Sequence, residues 1–290
     1  MNRRRFLTTT AAVAGTAAAA LAGDAILVEP GRLTITRHVV HRASSATGGI
    51  ARVVQLTDLH LRRSPRFHER IAREVERANP DVVVISGDAI DRDTSLPVLD
   101  DFLSLLNRRT PTFATWGNWE HYLTIDLRRV EDVYARHGCR VLNNATAEVQ
   151  VNGARLLVTG LDSSQDGFPD IGKALRAVTP SSNHLVVAHC PTQRDDVVRH
   201  LRYGALAGTV VEPEPASHTP SFVLAGHTHG GQITLGGWAP VTPVGSGRYV
   251  AGWYRDTRIP LYVSRGIGET MIPARFDCPP ELAVFEWELV

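Results

Sequence analysis

The segment LAGHTHGGQI, at residues 224–233, places two histidines among several glycines. His227 and His229 are separated by one residue, and Gly226 precedes them. Imidazole is a common metal ligand, and glycine allows the backbone to approach a bound group closely. A strand in a protein core would place apolar side chains here instead. The segment therefore indicates a ligand-bearing turn, if other parts of the chain supply further ligands.

Four other strand-like runs end in side chains of the same chemical kind. The runs are VVQL, VVVIS, TFATW and HLVVA, and each is followed by carboxylate, amide or imidazole groups. In chain order these groups belong to Asp58, His60, Asp88, Asp91, Asn118, Glu120, His121 and His189. Each type has an ordinary alternative use, such as capping a helix or serving a turn. Because ligands in open α/β sheets collect at the carboxyl ends of strands, donors after five strands predict a metal site.

The elements that must position these groups alternate between strand and helix after residue 30. The run RFHERIAREVERA carries Phe67, Ile71 and Val75 at helical spacing. The run AEVQVNGARLLVTGL predicts a hairpin that turns at Asn152-Gly153. This alternation predicts an α/β protein in which layered sheets are flanked by helices. We expect the proline- and serine-rich stretch 208–221 to be an exposed loop.

Residues 1–22 have the features of an export signal. Three arginines at positions 3–5 precede an alanine-rich run, and the tripeptide ALA at 20–22 fits a cleavage site. The run is too short and too weakly apolar to be a good transmembrane span. The string RRRFL is similar to a twin-arginine signal, and an arginine-rich secretory signal is the alternative. We therefore expect the twin-arginine export machinery as a partner and an exported, periplasmic or cell-envelope location.

The composition of the 290-residue chain is that of an ordinary globular protein, with 43% hydrophobic and 21% charged residues. The formal net charge of +1 falls by three, to −2, if the signal and its arginines are removed. Since no other basic run is present, nucleic acid is not expected as a partner. Cys139, Cys190 and Cys278 lack CxxC spacing, which argues against a disulfide framework and a cysteine zinc site. After the signal, we expect a lead-in strand and linker at 23–48 and one domain at 49–290.

The polar clusters together resemble the motifs of the calcineurin-like metallophosphoesterases. They read D-x-H at 58–60, GDxxD at 87–91, GN at 117–118, a single His189 and GHTH at 226–229. The later strings GSGRYVAGWY, LYVSRGIG and RFDCPPEL are similar to the exported, YkuE-like phosphodiesterase branch of that family. The resemblance implies the family's fold, which is a layered β-sandwich of mixed sheets flanked by helices.

The resemblance also implies two divalent metal ions. Its seven ligands form two groups bridged by one carboxylate: Asp58, His60 and His229 for the first ion, Asn118, His189 and His227 for the second, and Asp88 between them. Ligation by carboxylate, amide and imidazole without thiolate suits manganese, iron or zinc and does not choose among them. The implied reaction is attack by a metal-activated hydroxide, with both ions stabilising the displacement at phosphorus.

The chain departs from the family where a histidine usually follows the GN motif. Position 119 is Trp119, whose indole cannot supply the proton that the family's histidine gives to the leaving group. Either His121 supplies this proton as the general acid, or the leaving group needs little help, as in a phosphoanhydride or an activated diester. Arg248 and Arg265 are candidates for contacting a substrate phosphate, and a structural ion pair is the alternative for each.

These observations predict a binuclear, metal-dependent phosphohydrolase that acts on phosphodiester or pyrophosphate bonds. The expected partner is a phosphorylated small molecule or a lipid-linked substrate, with peripheral association with the membrane or envelope. UDP-diacylglucosamine, on which relatives act, is cytoplasmic and therefore does not suit an export signal. The alternative is a metal-containing envelope binding protein whose catalysis is weak because of Trp119. The complete ligand set favours the enzyme.

Overall fold

Two six-stranded sheets lie face to face in a computed structural model that describes residues 15–41, 49–62, 64–122, 126–176, 178–203 and 219–290. The first sheet contains, in spatial order, β1 (Thr34–Val40), β12 (Glu281–Glu288), β2 (Ile50–Leu56), β3 (Val82–Ser86), β4 (Thr112–Thr115) and β5 (Cys139–Val141). The second contains β10 (Gly252–Tyr254), β11 (Leu261–Val263), β9 (Phe222–Ala225), β8 (His184–Val187), β7 (Ala154–Gly160) and β6 (Ala145–Val151).

Both sheets are mixed, as the family resemblance implied. Strands β2 to β5 are parallel in the first sheet, and β12 is antiparallel to β2. Strands β7, β8, β9 and β11 are parallel in the second sheet, and β6 and β10 are antiparallel to their neighbours. Parallel neighbours end at the same edge of a sheet. The loops after β2, β3 and β4 are therefore neighbours, and so are the loops after β8 and β9.

Helices cover the outer faces of the two sheets. They are α1 (Pro65–Ala78), α2 (Leu96–Ser104), α3 (Asn118–Tyr122), α4 (Leu127–Arg136), α5 (Ile171–Leu175) and α6 (Gln193–Tyr203). The apolar sides of α1, α2 and α4 pack on the first sheet. Those of α5 and α6 pack on the second sheet. The predicted α/β class, with a sandwich of mixed sheets between helices, is confirmed.

The core between the sheets follows from alternation along the strands. In β3, Val82 and Val84 face the second sheet, whereas Val83 and Ile85 face the helices. Successive side chains of a strand point to opposite faces, so a continuous apolar run is required when both faces are buried. Trp287 of β12 is fully buried between the sheets. This inner core holds the two sheets in one arrangement and thereby fixes the loops at their edges.

The structure contains the helix and the hairpin that the sequence predicted. The predicted helix is α1, and the predicted hairpin joins β6 to β7 through Asn152 and Gly153, whose φ angles of 51° and 82° suit a tight hairpin turn. Strand β1, from the predicted lead-in, pairs with β12. Most of the predicted loop at 208–221 lies outside the described residues, which resume at residue 219.

The N-terminal signal falls only partly within the described residues. Residues 1–14 lie outside them, and residues 15–23 are helical. A single π-helical turn, Asp24–Val28, follows this helix. In the part of the chain that the structure describes, no helix combines the length and apolar character needed to cross a bilayer. The export signal remains a prediction.

Candidate metal centre

Five loops carry the seven predicted ligands, and they meet at one edge of the sandwich. Three of the loops follow β2, β3 and β4 of the first sheet, and two follow β8 and β9 of the second. In chain order the ligands are Asp58, His60, Asp88, Asn118, His189, His227 and His229, and all are buried. Residues separated by up to 171 positions therefore share one site only because the two sheets pack together.

The first of two clusters contains Asp58, His60 and His229. The Nε2 atoms of His60 and His229 are 3.1 Å apart. Nε2 of His229 lies 3.6 Å from Oδ1 of Asp58. These are the three residues that the resemblance assigns to the first ion.

The second cluster contains Asp88, His189 and His227, with Asn118 beside them. Oδ1 of Asn118 lies 3.0 Å from both Nε2 of His189 and Nδ1 of His227. Oδ2 of Asp88 lies 3.1 Å from Nε2 of His189 and 3.7 Å from Nε2 of His60. The Asp88 carboxylate therefore stands between the clusters, where the sequence places a bridging ligand.

Outer hydrogen bonds fix the orientation of three imidazole rings. Nδ1 of His189 donates to the carbonyl of Ser86 at 2.9 Å. Nε2 of His227 donates to the carbonyl of Val244 at 2.6 Å. Nδ1 of His229 donates to the carbonyl of Gly268 at 3.2 Å. A carbonyl oxygen only accepts, so each of these nitrogens carries a hydrogen. The other nitrogen of His227 and of His229 then presents a lone pair to the centre, and Nε2 of His189 does so when a metal ion displaces its proton.

The resulting centre is composed of acceptors that face one another. Nδ1 of His227 and Nε2 of His189 are 3.2 Å apart, and the amide oxygen of Asn118 faces both. Groups this close are stable only with positive charge among them, which a proton on Nε2 of His189 or a bound metal ion can supply. Imidazole nitrogens and carboxylate and amide oxygens are also the ligand atoms that manganese, iron and zinc take in proteins. The donor set therefore fits a pair of divalent cations.

Three of the four histidine ligands are held in the neutral form that binds metal. Burial lowers the pKa of His60 to about 4. Burial, and after it the charge of His189, lowers the pKa of His227 to about 4. Burial also lowers the pKa of His229 well below its usual range. Metal binding at neutral pH then requires no proton to leave these three rings. At His189 burial acts in the same direction, but the charge of Asp88 and its hydrogen bond raise the pKa well above its usual range.

The backbone at the ligands is strained. Asp58, His60, Asp88, His227 and His229 have φ angles of 49°, 40°, 53°, 72° and 51°. Left-handed backbone at a residue other than glycine costs on the order of 1–3 kcal/mol and persists where the surroundings determine it. Here the loops are tied by backbone hydrogen bonds, such as that from the N–H of His60 to the carbonyl of Asp88 at 3.0 Å. Such strain is typical of functional sites.

Two glycines allow the loops to approach the carboxylates. A Cβ atom at Gly117 would overlap the Asp88 carboxylate, and one at Gly226 would overlap the Asp58 carboxylate. The freed space is used by hydrogen bonds. The N–H of His227 donates to both oxygens of Asp58, at 2.9 and 3.0 Å. This answers why glycine precedes the histidine pair.

Glu120 holds two ligand loops together, a role that the sequence analysis did not assign. Its carboxylate accepts from the N–H groups of Asp88 at 3.0 Å, Ala89 at 2.7 Å and Gly117 at 2.8 Å. Burial and the Asp88 charge raise the pKa of Glu120 to about 7, while the N–H donors act in the opposite direction. The carboxylate thus joins the loop after β3 to the loop after β4.

Arg275 supports His229 from behind. Its fully buried guanidinium donates to the carbonyls of Cys278 and Arg265, each at 3.0 Å, and of Gly268 at 2.5 Å. The Gly268 carbonyl is the same one that accepts from His229. Arg275 lies in the string RFDCPPEL, which marked the family branch without indicating a role.

The two clusters of ligand side chains open into a cavity of about 490 Å³. Its lining combines ligands with apolar and aromatic side chains: Asp88, Asp91, Asn118, Trp119, Tyr122, His227, His229, Pro243, Thr270 and Met271. The ring of Trp119 lies 5.7 Å from that of His60, edge to face. The backbone N–H of Trp119 donates to Asp88 at 2.9 Å. Trp119 therefore forms part of the wall beside the first cluster.

Three other predicted site residues are not among those that line this cavity. His121 directs Nε2 to the Asp162 carboxylate at 2.7 Å, and this hydrogen bond raises the pKa of His121. Arg248 pairs with Asp256. Arg265 lies 3.6 Å from Glu281. For both arginines the structure shows the ion pair that was the alternative to phosphate binding.

All seven predicted ligands fall within the range matched by a family model. The family is described as "Calcineurin-like phosphoesterase" and matches residues 51–231. The Bacillus subtilis (strain 168) metallophosphoesterase YkuE is 28% identical, covering 98% of this chain and 97% of YkuE. A metallophosphoesterase of Aquifex aeolicus is 26% identical, covering 87% and 90% of the two chains. A solved structure of a 5'-nucleotidase precursor from Thermus thermophilus is 13% identical with a TM-score of 0.47, covering 83% of this chain and 54% of that one.

Replacing Glu120 by glutamine should weaken metal binding. The Glu120→Gln variant loses one acceptor oxygen and turns an NH₂ group toward backbone donors, which loosens the loops of Asp88 and Asn118. We expect metal affinity to fall by about 10–100-fold, as for other groups that orient ligands, when measured by titration calorimetry. Glu131→Gln, on the exposed side of α4, is the matched control and should bind metal normally. Unchanged affinity in Glu120→Gln would show that the second oxygen has no such role.

Proposed function

Because the chain belongs to the calcineurin-like phosphoesterase family, in which metal-dependent phosphoester hydrolysis is the shared activity, we propose that it is a two-metal hydrolase of phosphodiester or pyrophosphate bonds. The observation that carries this proposal is the set of seven converging acceptors, three of whose rings are oriented by outer hydrogen bonds. A structural role for the fold does not require such an arrangement, because uncompensated buried acceptors destabilise a protein.

The chain's own residues divide the work at the site. Asp58, His60 and His229 would hold one ion, Asn118, His189 and His227 would hold the other, and Asp88 would contact both. When bound, a pair of manganese, iron or zinc ions supplies Lewis-acid stabilisation of charge at phosphorus and at the attacking and leaving oxygens. Glu120 and Arg275 position the loops that carry these ligands.

The cavity walls restrict the choice of substrate. Trp119, Tyr122, Pro243 and Met271 contribute apolar surface to the cavity beside its ligands. No lysine or arginine is among the described residues that line it, so a substrate phosphate would be recognised chiefly at the metal ligands. An uncharged or aromatic group next to the scissile phosphate suits this wall. These features favour a diester or pyrophosphate, which carries a substituent on both sides of the bridge, over a small monoester.

The proposed cellular setting is the envelope. It rests on the N-terminal RRRFL string and the alanine-rich run behind it, which suit export through the twin-arginine route. The substrate would then be a phosphorylated small molecule or a lipid-linked compound of the envelope. The alternative function, a metal-containing binding protein with weak catalysis, is supported by one observation, the presence of Trp119 in place of a proton donor.

The hydrolase proposal predicts metal-dependent turnover that requires Asp88. Purified full-length protein loaded with manganese, iron or zinc should hydrolyse diesters or pyrophosphates, assayed by release of phosphate or nitrophenol. Asp88→Asn should reduce kcat by at least about 10²–10³-fold, since a charge that both ions share is lost. Asp101→Asn, on the exposed side of α2, is the matched control. Metal uptake without turnover on every substrate class would leave the binding protein as the function.

The position of Trp119 predicts a preference for good leaving groups. A departing alkoxide needs a proton in the transition state, and a departing nitrophenolate does not. The Trp119→His variant should raise kcat for an alkyl phosphodiester by about 10²-fold, the lower end of the usual range for general acid catalysis, and barely change kcat for a nitrophenyl diester. The Trp119→Phe variant also changes the cavity wall but supplies no proton, so it should raise kcat for neither diester. Loss of alkyl diester turnover in His121→Ala would instead assign the proton to His121.

A further inference from the structure

Exposed apolar side chains are concentrated in a few segments, two of which contribute Pro243 and Met271 to the lining of the cavity. Among the described residues, eleven of the sixteen exposed large hydrophobic side chains lie in Tyr122 or in three segments, 15–28, 231–246 and 270–273. We call six of them the apolar rim: Leu235, Trp238, Val241, Val244, Met271 and Ile272. Scattered exposed hydrophobic residues are ordinary, but a concentration next to a binding site marks a docking surface.

The segments of the apolar rim are joined to one another and to the site. The side-chain amide of Gln232 donates to the carbonyls of Thr270 and Ile272, at 3.1 and 2.7 Å. The N–H of Gly236 donates to Asp277 at 2.7 Å. Val244 supplies the carbonyl that orients His227, and Met271 lines the cavity. The rim is thus a surface held by the same loops that hold the metal ligands.

The chemistry of the rim favours a lipid surface. Residues 230–247 contain no charged residue, although the side chains of Trp238 and Val244 are 65% and 80% exposed. A protein interface of this kind usually carries a polar, charged border. Tryptophan beside aliphatic side chains is typical of the membrane interface, where an amphipathic ring lies at the level of the headgroups.

The N-terminal segment extends the same surface. Residues 15–22 are exposed along their whole length, and so are Ile26, Leu27 and Val28. The segment is tied next to the rim, because the carbonyl of Ala25 accepts from the N–H of Arg275 and the Glu29 carboxylate accepts from that of Cys278 at 2.6 Å. The chain that precedes it contains three arginines and no acid. Such a basic and apolar sequence suits an anionic bilayer.

We propose that the apolar rim and residues 26–28, which follow the predicted cleavage site, dock on the surface of a lipid bilayer, with the mouth of the cavity toward the membrane. This docking does not require the proposed hydrolysis. One consequence does rest on that function: the substrate would be an amphiphilic phosphoester whose apolar part stays in the bilayer while its phosphate reaches the ligands.

Vesicle binding tests the docking with the full chain. Wild-type protein should sediment with vesicles of phosphatidylcholine and phosphatidylglycerol. A variant with Leu235→Ser, Trp238→Ser and Val241→Ser should bind at least about tenfold more weakly, because binding scales with buried apolar area. A variant with Val39→Ser, Ile50→Ser and Leu105→Ser, which changes exposed hydrophobic residues elsewhere, should bind as wild type does. Both should hydrolyse a soluble nitrophenyl diester normally, so a failure of docking is distinguishable from a failure of the proposed activity.

Fluorescence gives a second measurement that does not depend on the triple variants. Brominated phospholipid should quench wild-type tryptophan emission, and most of this quenching should disappear in Trp238→Phe while vesicle binding is retained. Wild-type binding by the rim triple variant, or equal quenching in Trp238→Phe, would overturn the proposal. Failure of wild-type protein to bind vesicles would also overturn it, and rim-dependent self-association would then identify a protein partner.

Discussion

The convergence of seven buried metal-ligating groups is the constraint on which the rest of this structure depends. Imidazole nitrogens, carboxylate oxygens and an amide oxygen converge within about hydrogen-bond distance, as at Nε2 of His60 and of His229, which are 3.1 Å apart. Such an arrangement is unstable by itself, so the surrounding chain must hold it. The Glu120 carboxylate and the Arg275 guanidinium serve this end, and they also help to hold the left-handed backbone at five ligands. Positive charge at the centre stabilises the same arrangement, which couples metal binding to the order of the loops.

The fold provides the rigidity that this arrangement needs. Ligands from the first sheet meet ligands from the second, so their separation is set by the apolar core between the sheets. The same loops continue outward into the cavity wall and the apolar rim. Val244 illustrates the connection, because its carbonyl orients His227 while its side chain is exposed beside the mouth. Displacement of the backbone at Val244 would therefore be felt at His227.

The positions of the seven ligands could be predicted from the sequence. The ligands are polar residues placed directly after apolar runs, so their positions at strand ends follow from local patterns. The partner of His121 could not be read, because Asp162 reaches it only through the packing of distant loops. Glu120 had a signal, an acid two residues after Asn118, but its three N–H partners are tertiary contacts. The uncharged run at 230–247 was visible in the sequence, but its exposure was not.

The central claim is that these acceptors hold two cations, and anomalous X-ray diffraction tests it most directly. Crystals of manganese-loaded protein, measured on both sides of the manganese absorption edge, should show two anomalous peaks. One should lie among Asp58, His60 and His229, the other among Asn118, His189 and His227, with the Asp88 carboxylate between them. A single peak, or none, in crystals of folded protein with ordered ligand loops would contradict the account.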